Sequence, residues 1–245
     1  MKLSVIMPAY NEEAYIENVV NRVIRQRISG IDSMELIIVD DASSDKTRGL
    51  IEKLAKDNSG VIKAVYHSQN TGKGGAILSA RQVITGDICI IQDADLEYDP
   101  GEYPLVLQPI IDGHADCVYG SRFIGTQAKR VLFFWHYIGN RLLTLISNMT
   151  TNLNLTDMET CFKAFRSDIF RTIPIRSKRF GFEPEITSKL ARRKCRIFEV
   201  GISYRGRTYA EGKKIGWKDG VKAILTIIKY AIIDDSEFRI PGTRT

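Results

Sequence analysis

The sequence predicts an α/β fold in which a mostly parallel sheet is sandwiched between helices. Short runs of β-branched residues alternate along the chain with segments whose apolar residues recur at helical spacing. Several predicted strands end in polar clusters, and sheets of this kind bind ligands beyond the carboxyl ends of their strands. The 245 residues are 44% hydrophobic and 26% charged, which is typical of a globular protein and excludes a disordered or fibrous one.

The predicted elements are most regular in the first half of the chain. The strands predicted there are residues 3–7, 35–39, 61–65 and 88–91. The spacing of Ile16, Val20 and Val23 predicts a helix after the first strand. In the second half, strands are predicted near 117–119 and 196–200, and helices near 130–150, 183–193 and 217–233. No internal repeat or linker is evident, so residues 1–245 are predicted to form one domain.

Charge and cysteine usage exclude some classes of protein without choosing a function. A net charge of +6 suits anionic substrates, acidic lipid headgroups or nucleic acid equally well. The four cysteines form no C-x-x-C pair and the chain has three histidines, so neither a zinc site nor a disulfide framework is predicted. Because Met1 and Lys2 lead directly into an apolar strand without a secretory signal pattern, a reducing cytoplasm is the expected location.

A cluster of carboxylates follows the predicted strand 88–91. Its members are Asp93, Asp95, Glu97 and Asp99. Carboxylates this close repel one another unless a cation lies between them, and hard oxygen ligands favour Mg²⁺ or Mn²⁺ over zinc. The alternative is an acidic turn before a helix, with Asp99, Pro100 and Gly101 as the turn residues.

A glycine-rich segment at 70–75 invites comparison with known phosphate-binding loops. A Walker loop is excluded because His67 and Gly74 occupy the places of its first glycine and its Ser or Thr. No G-x-G-x-x-G follows the first strand either, which argues against a dehydrogenase. What remains is a helix start that either places Lys73 and backbone NH groups near a phosphate or is a flexible turn.

Four motifs of the first half, taken in order and spacing, resemble the family 2 glycosyltransferases. They are VIMPAYNE at 5–12, IVDDASSD at 38–45, NTGKG at 70–74 and QDADLE at 92–97. The resemblance implies a glycosyltransferase-A fold and an inverting reaction on a nucleotide-sugar. The residues it assigns to the donor are Pro8, Tyr10, Glu12, Asp40, Lys73 and Asp93, and those it assigns to the metal are Asp93, Asp95 and Glu97. Glu12 and Asp45 as helix N-terminal acids, and Asn11 as a cap, remain alternatives.

Motifs of the second half resemble the dolichol-phosphate mannose and glucose synthase branch of that family. They are VYGSRF at 118–123, DMETCFK at 157–163, FEPE at 182–185, YRGRT at 204–208 and EGKK at 211–214. The resemblance implies GDP-mannose or UDP-glucose as donor, a polyprenyl phosphate acceptor, and no nucleic-acid partner. It divides the domain into a donor half, 1–115, and an acceptor and membrane-facing half, 116–245. The acceptor phosphate would be held by Arg122, Arg141, Arg207 and Lys214, with Lys213 as a further candidate.

An acceptor of this type removes the need for a general base. A phosphate monoester has a second pKa of about 6 and is already mostly dianionic at neutral pH. We therefore expect catalysis to rest on Asp95, which holds the metal, and on Arg122, Arg141 and Arg207, which align the acceptor. Two alternatives stay open: a transferase with a sugar-hydroxyl acceptor and a base at Asp157, Glu159 or Glu183, and a noncatalytic nucleotide- or lipid-binding subunit.

A lipid acceptor requires contact with a membrane, and the sequence offers amphipathic helices rather than clean spans. Segment 131–150 carries Phe134, Ile138 and Leu142 on one face, and segment 217–233 sets three lysines in a stripe beside Ile224 and Leu225. This pattern fits peripheral helices at the cytoplasmic face of a membrane. A helix that packs its apolar face on the sheet has the same pattern.

Overall fold

The computed structural model describes residues 1–131, 133–179, 181–208 and 217–232, and within these it contains a seven-stranded sheet. The strands are β1 (Lys2–Ala9), β2 (Ser33–Asp40), β3 (Ile62–Tyr66), β4 (Ile88–Ile91), β5 (Cys117–Ser121), β6 (Lys163–Arg166) and β7 (Ile197–Gly201). Their order across the sheet is β3-β2-β1-β4-β6-β5-β7. All neighbouring pairs are parallel except those that β6 makes with β4 and β5.

Helices cover both faces of this sheet. They are α1 (Ile16–Ile24), α2 (Thr47–Asp57), α3 (Lys73–Arg81), α4 (Tyr103–Ile111), α5 (Phe134–Thr151), α6 (Ser167–Thr172), α7 (Phe182–Arg192) and α8 (Trp217–Ile232). Successive residues of β1 belong to different cores. Val5 packs in the cluster that contains α1 and α4, and Ile6 packs in the cluster that contains α3 and α7. The predicted sandwich is thereby confirmed, because a strand buried on both faces has to be apolar at successive positions.

Strand register brings three polar segments to one edge. β1 pairs with β2 from Lys2 opposite Ser33 to Ala9 opposite Asp40, so both strands end together. β4 lies on the other side of β1 and pairs Ile6 with Ile91. The residues that follow β1, β2 and β4 therefore meet at the carboxyl edge of the sheet, where parallel α/β proteins bind ligands.

The one strand missing from the sequence prediction is β6. It has four residues, and its first residue, Lys163, is fully buried. A short strand with a buried lysine lacks both the apolar run and the alternation that identify strands in a sequence. Its place between β4 and β5 makes the sheet mixed and brings segment 157–162 against the end of β4.

Candidate active site

A cavity of 870 Å³ lies at the carboxyl edge of the sheet. Its walls include residues that follow β1 and β4, the start of α3, and faces of α5 and α8. Pro8, Tyr10, Glu12, Lys73, Asp93, Asp95, Glu97, Arg122 and Arg207 all line it. Most of the residues assigned by resemblance to donor, metal and acceptor thus lie around one space.

Arg207 lies among the acids at one end of the cavity. Its Nη2 donates to Asp95 Oδ2 at 2.6 Å, its Nη1 to Glu12 Oε2 at 3.2 Å, and its Nε to Glu97 Oε1 at 3.2 Å. Burial and the negative charges of Asp93 and Glu97 raise the pKa of Asp95 to about 7, although Arg207 opposes the shift. The acids are crowded enough to require a cation between them.

Lys73 supplies a second cation at the same end of the cavity. It begins α3 and forms an ion pair with Asp93. Burial works against the charge of Lys73, but Asp93 and the nearby Cys161 and Glu183 hold its pKa well above the usual value. The prediction that the segment 70–74 opens a helix is confirmed, and the structure places Lys73 beside Asp93.

The acids that follow β4 are candidate ligands for a divalent cation. In the described part of the chain, no three His, Cys, Asp or Glu side chains converge as a ready metal centre. Asp93 is paired with Lys73, and Asp95 with Arg207. The donor set still fits Mg²⁺ or Mn²⁺, because it offers carboxylate oxygens alone, with an excess of negative charge that raises the pKa of Asp95.

The glycines at the start of α3 are required by packing. Gly72 has φ +86°, and a Cβ there would come within 2.7 Å of the Lys178 carbonyl oxygen. A Cβ at Gly74 would collide with the carbonyl oxygen of Ser177. The segment therefore accommodates the neighbouring chain at 177–178, which explains the glycines without a phosphate.

Asp41 fixes this segment, a role that sequence reasoning missed. Its Oδ1 accepts from the Thr71 backbone NH at 2.8 Å, and its Oδ2 accepts from the Gly72 NH at 2.7 Å. His67 Nδ1 lies 2.7 Å from Asp41 Oδ1. The sequence showed only that Asp40 and Asp41 are adjacent acids at the end of a strand, and nothing in it distinguished their roles.

Asp40, predicted to hold the nucleoside, ends β2 and is fully buried. Its Oδ1 accepts from the Ser43 NH at 3.2 Å, whereas its Oδ2 is buried with no donor among the described residues. Burying a carboxylate oxygen without a partner is costly. Asp40 is not among the described residues that line the cavity, so its contact with a nucleoside remains a prediction.

For three nearby polar residues the sequence also predicted purely structural roles, and the structure confirms two of them. Asp45 Oδ1 accepts from the Thr47 NH at 2.9 Å, as expected for an acid at the start of α2. Asn11 does not cap α1; its Oδ1 accepts from the Ser44 NH at 2.8 Å. Asp99 is the predicted turn residue, since its Oδ1 accepts from the Gly101 NH at 2.8 Å.

Arg122 is held by Asp157 on the other side of the cavity. Its Nε donates to Asp157 Oδ2 at 2.7 Å, and its Nη2 to Oδ1 at 2.7 Å. The Arg122 backbone NH donates to the same carboxylate at 2.9 Å. Because Asp157 is fully buried and engaged three times, it positions Arg122 and is not free to accept a proton from a substrate.

Glu159 and Glu183 line the cavity near Arg122 and Lys73. Burial and the charge of Glu183 raise the pKa of Glu159 to about 8. Its Oε1 is buried and has no hydrogen-bond partner within the described residues. The protonated form of Glu159 therefore predominates at pH 7, and only the ionised minority could accept a proton.

Arg141, one of the residues predicted for the acceptor, is not brought to the cavity. Arg141 lies on α5 with an exposed side chain and is not among the described residues that line the space. Lys214 and Lys213 fall outside the described residues. Their predicted roles remain predictions.

Helices α5 and α8 pack against each other and contribute apolar side chains to the cavity lining. These are Leu142, Leu143, Val221, Ala223 and Ile224. The outer surfaces of the helices are also apolar, with Phe134, Trp135, Ile138, Leu142, Leu145 and Met149 of α5 and Val221, Leu225, Ile228 and Ile232 of α8 exposed. We call these ten residues the apolar face.

Two polar residues of α5, Thr144 and Asn148, point inward. Thr144 is 3% exposed, and its Oγ1 accepts from the Met158 NH at 3.1 Å. Asn148 exchanges two hydrogen bonds with the Leu155 backbone, at 2.8 and 3.1 Å. Over the described residues, no helix combines the length and hydrophobicity needed to cross a bilayer.

Comparison with known proteins agrees with this geometry. The family model described as glycosyl transferase family 2 matches residues 4–173. The chain belongs to this family. The match includes the acids after β4, Arg122 and Asp157, but ends before Arg207 and α8.

Two similar proteins are named as transferases for a lipid phosphate. The undecaprenyl-phosphate 4-deoxy-4-formamido-L-arabinose transferase of Pseudomonas aeruginosa strain LESB58 is 28% identical over 86% of this chain and 60% of its own length. The UDP-N-acetylglucosamine–dolichyl-phosphate N-acetylglucosaminyltransferase of Methanococcus voltae is 29% identical over 86% of this chain and 89% of its own. The chain thus spans about 60% of the length of the Pseudomonas relative.

A solved structure confirms the glycosyltransferase-A fold. Glucosyl-3-phosphoglycerate synthase from Mycobacterium tuberculosis, in complex with Mn²⁺, uridine diphosphate and glucosyl-3-phosphoglycerate, gives a TM-score of 0.71. Sequence identity is 23%, over 96% of this chain and 81% of the other.

Proposed function

We propose that the protein is an inverting glycosyltransferase that moves a hexose, mannose or glucose, from a nucleotide-sugar to a polyprenyl phosphate. The observation that carries this proposal is a cavity whose lining has two unlike parts. One part consists of acids paired with cations, and the other consists of apolar side chains of α5 and α8. A substrate with a phosphate head and a hydrocarbon tail fits such a space.

The donor occupies the edge formed by β1, β2 and β4. Pro8, Tyr10 and Glu12 contribute the wall after β1, and Asp40 offers the unpaired buried oxygen to the nucleoside. Lys73 lies next to the diphosphate, and Asp93, Asp95 and Glu97 hold Mg²⁺ or Mn²⁺. The metal ion, when bound, neutralises the charge that develops on the departing nucleoside diphosphate. GDP-mannose and UDP-glucose are the proposed donors.

The acceptor phosphate lies on the arginine side of the same cavity. Arg122 is preorganised by its bidentate pair with Asp157, and Tyr204 packs under it with its ring centroid 5.3 Å from the guanidinium carbon. Arg207 approaches from the acid side, and Arg141 and Lys214 remain further candidates. Preorganised donors lower the barrier because they need no rearrangement when the phosphate attacks.

The reaction proposed here proceeds without a general base. Asp157 is engaged by Arg122, and the raised pKa of Glu159 leaves it mostly protonated. An acceptor that is already dianionic needs neither as a base. The engagement of Asp157 therefore supports a phosphate acceptor, and Glu183, which also lines the cavity, is the base that a sugar-hydroxyl acceptor would need.

The names of the relatives support the acceptor class more strongly than the sugar. The Pseudomonas and Methanococcus proteins are named for undecaprenyl phosphate and dolichyl phosphate, respectively, but for different sugars. The shared feature is a lipid phosphate. The choice of a hexose rests on the motifs at 118–123 and 157–163.

The apolar face is proposed to lie on the surface of an anionic bilayer at its cytoplasmic side. Leu225 and Met149 are 62% and 77% exposed, and the exposed Lys222 and Lys229 stand on the same helix as Leu225. Lysines beside apolar side chains match a layer of lipid phosphates above hydrocarbon. The mouth of the cavity lies at this face, since Trp135 and Val221 belong to both.

A donor screen tests the proposed function. Purified protein is incubated with a short-chain polyprenyl phosphate, Mn²⁺ or Mg²⁺, and a panel of nucleotide-sugars, and glycolipid formation is measured. We expect product with GDP-mannose or UDP-glucose, and its loss in Asp95→Asn. Product with a saccharide acceptor but not with the lipid phosphate would favour a sugar-hydroxyl acceptor. Failure with every donor would refute the proposal.

A further inference from the structure

We propose that Arg207 is a counter-ion of the acid cluster and competes with the divalent metal for it. Its guanidinium occupies Asp95 and Glu97 until metal and donor displace it. Arg207 then becomes available to the acceptor phosphate. This inference rests on the proposed metal role of these acids. It predicts that the donor complex forms before the acceptor binds.

Arg207 is fully committed to carboxylates in the structure. Each of its three guanidinium nitrogens donates to an acid, with distances of 2.6 Å to Asp95, 3.2 Å to Glu12 and 3.2 Å to Glu97. The side chain is 16% exposed, so water screens these pairs only weakly. A guanidinium bound in this way has little capacity left for a phosphate.

A divalent cation held by these acids would draw on the same carboxylates as this guanidinium. Asp95 Oδ2 and Glu97 Oε1 are the atoms that Arg207 binds, and both residues belong to the predicted metal site. Two cations brought to the same few carboxylates in a poorly screened cavity repel each other. One must therefore move when the other arrives.

Glu97 couples this exchange to the segment that carries Arg207. The Glu97 side chain accepts from the Tyr204 hydroxyl at 2.8 Å and from the Arg207 backbone NH at 2.9 Å. The Arg205 NH donates to the Glu97 backbone oxygen at 3.0 Å. A metal that takes Glu97 as a ligand removes two of these hydrogen bonds, which loosens segment 204–207 at the moment the donor is in place.

The competition is measured by Mn²⁺ binding, followed by electron paramagnetic resonance in the absence of donor and acceptor. We expect Arg207→Gln to bind Mn²⁺ about tenfold more tightly than the wild type, because the competing charge is gone. Arg207→Lys keeps the charge but cannot reach three carboxylates, so an intermediate affinity is expected. Arg205→Gln removes the same charge from an exposed neighbour in the segment and should resemble the wild type.

A second measurement follows the released arginine. Binding of farnesyl phosphate by the wild type should strengthen at least about fivefold when Mn²⁺ and nucleoside diphosphate are added, and Arg207→Gln should lose this gain. Equal or weaker Mn²⁺ binding by Arg207→Gln would overturn the inference while leaving the proposed function intact. Absence of Mn²⁺ binding in every variant, even with nucleoside diphosphate, would overturn the proposed metal site as well.

Discussion

At the residue scale, the site consists of cations held in place by acids. Lys73 is paired with Asp93, Arg122 with Asp157, and Arg207 with Asp95. A long cationic side chain loses rotamer entropy when it is ordered. In these pairs that entropy is lost on folding, before a substrate binds. Arg122 is therefore preorganised for a phosphate, whereas Lys73 and Arg207 are paired with acids that are proposed to hold the metal.

The pair of Arg122 and Asp157 should behave as one unit in catalysis. Arg122→Gln removes the charge proposed to align the acceptor, and Asp157→Asn leaves the arginine without its bidentate partner. We expect each to lower kcat about 100-fold, with donor affinity unchanged and no larger loss in the double variant. Turnover and calorimetric titration with the donor measure both quantities.

A matched control for this pair is Arg166→Gln, which breaks an exposed ion pair with Asp168 at the end of β6. It should retain wild-type turnover, because exposed pairs contribute little and this one lies outside the cavity. Wild-type turnover in Arg122→Gln would show that this arginine does not align the acceptor.

Glu159 should make the stability of the protein depend on pH. Its pKa is raised from 4.5 to about 8 by burial and by Glu183, while Lys163 and Arg122 oppose the shift and Asp157 adds to it. Between these two pH values the folded protein keeps a proton that the unfolded chain releases, so rising pH destabilises the fold. Glu159→Gln mimics the neutral acid and removes this loss.

We expect Glu159→Gln to be more stable than the wild type at pH 8, by on the order of 2 kcal/mol, with the difference shrinking towards pH 5. Chemical denaturation at several pH values measures the free energy of unfolding. Glu52→Gln removes an exposed carboxylate of α2 and serves as control. A difference that stays constant or grows towards low pH would contradict the shift.

At the element scale, α5 reverses the usual orientation of an amphipathic helix. Thr144 and Asn148 bond to segment 155–158, and Leu143 and Ile146 pack against the core. The six large residues that α5 contributes to the apolar face point outward. Sequence periodicity revealed two faces but could not tell which was buried, because hydrogen bonding to an irregular segment leaves no periodic signal. The orientation leaves the apolar face exposed at the mouth of the cavity.

The apolar face should bind anionic membranes. The double variant Leu225→Glu and Ile228→Glu replaces two exposed apolar side chains of α8 with charges that anionic lipids repel. We expect binding to phosphatidylglycerol vesicles, measured by co-sedimentation, to weaken at least about tenfold.

Leu105→Glu provides the control for this experiment, because Leu105 is also exposed on a helix, α4, but is not part of the apolar face. Its binding to vesicles should equal that of the wild type. Unchanged binding in the α8 variant would show that this face contacts something other than lipid.

At the scale of the whole molecule, ligand binding should stabilise the fold. The proposed donor site draws on β1, β2, β4 and segment 204–207, which are distant in sequence and come together only in the folded chain. Nucleoside diphosphate with Mn²⁺ at about 100 times the dissociation constant should add about 2.7 kcal/mol to the free energy of unfolding. Thermal unfolding with and without a chelator measures this, and Asp95→Asn should show no metal-dependent gain.

The sequence by itself determined the parallel sheet, the edge at which its polar segments meet, and the family resemblance. These are local features: a buried strand, a helix period and a motif are each legible within a few residues. Tertiary structure alone decided that Asp41 holds the α3 segment, that Asp157 anchors Arg122, and that α5 turns six large residues outward. It also placed Arg207 on Asp95, which is 112 residues away in the chain. Such contacts depend on how the sheet brings distant segments together and not on any pattern along the sequence.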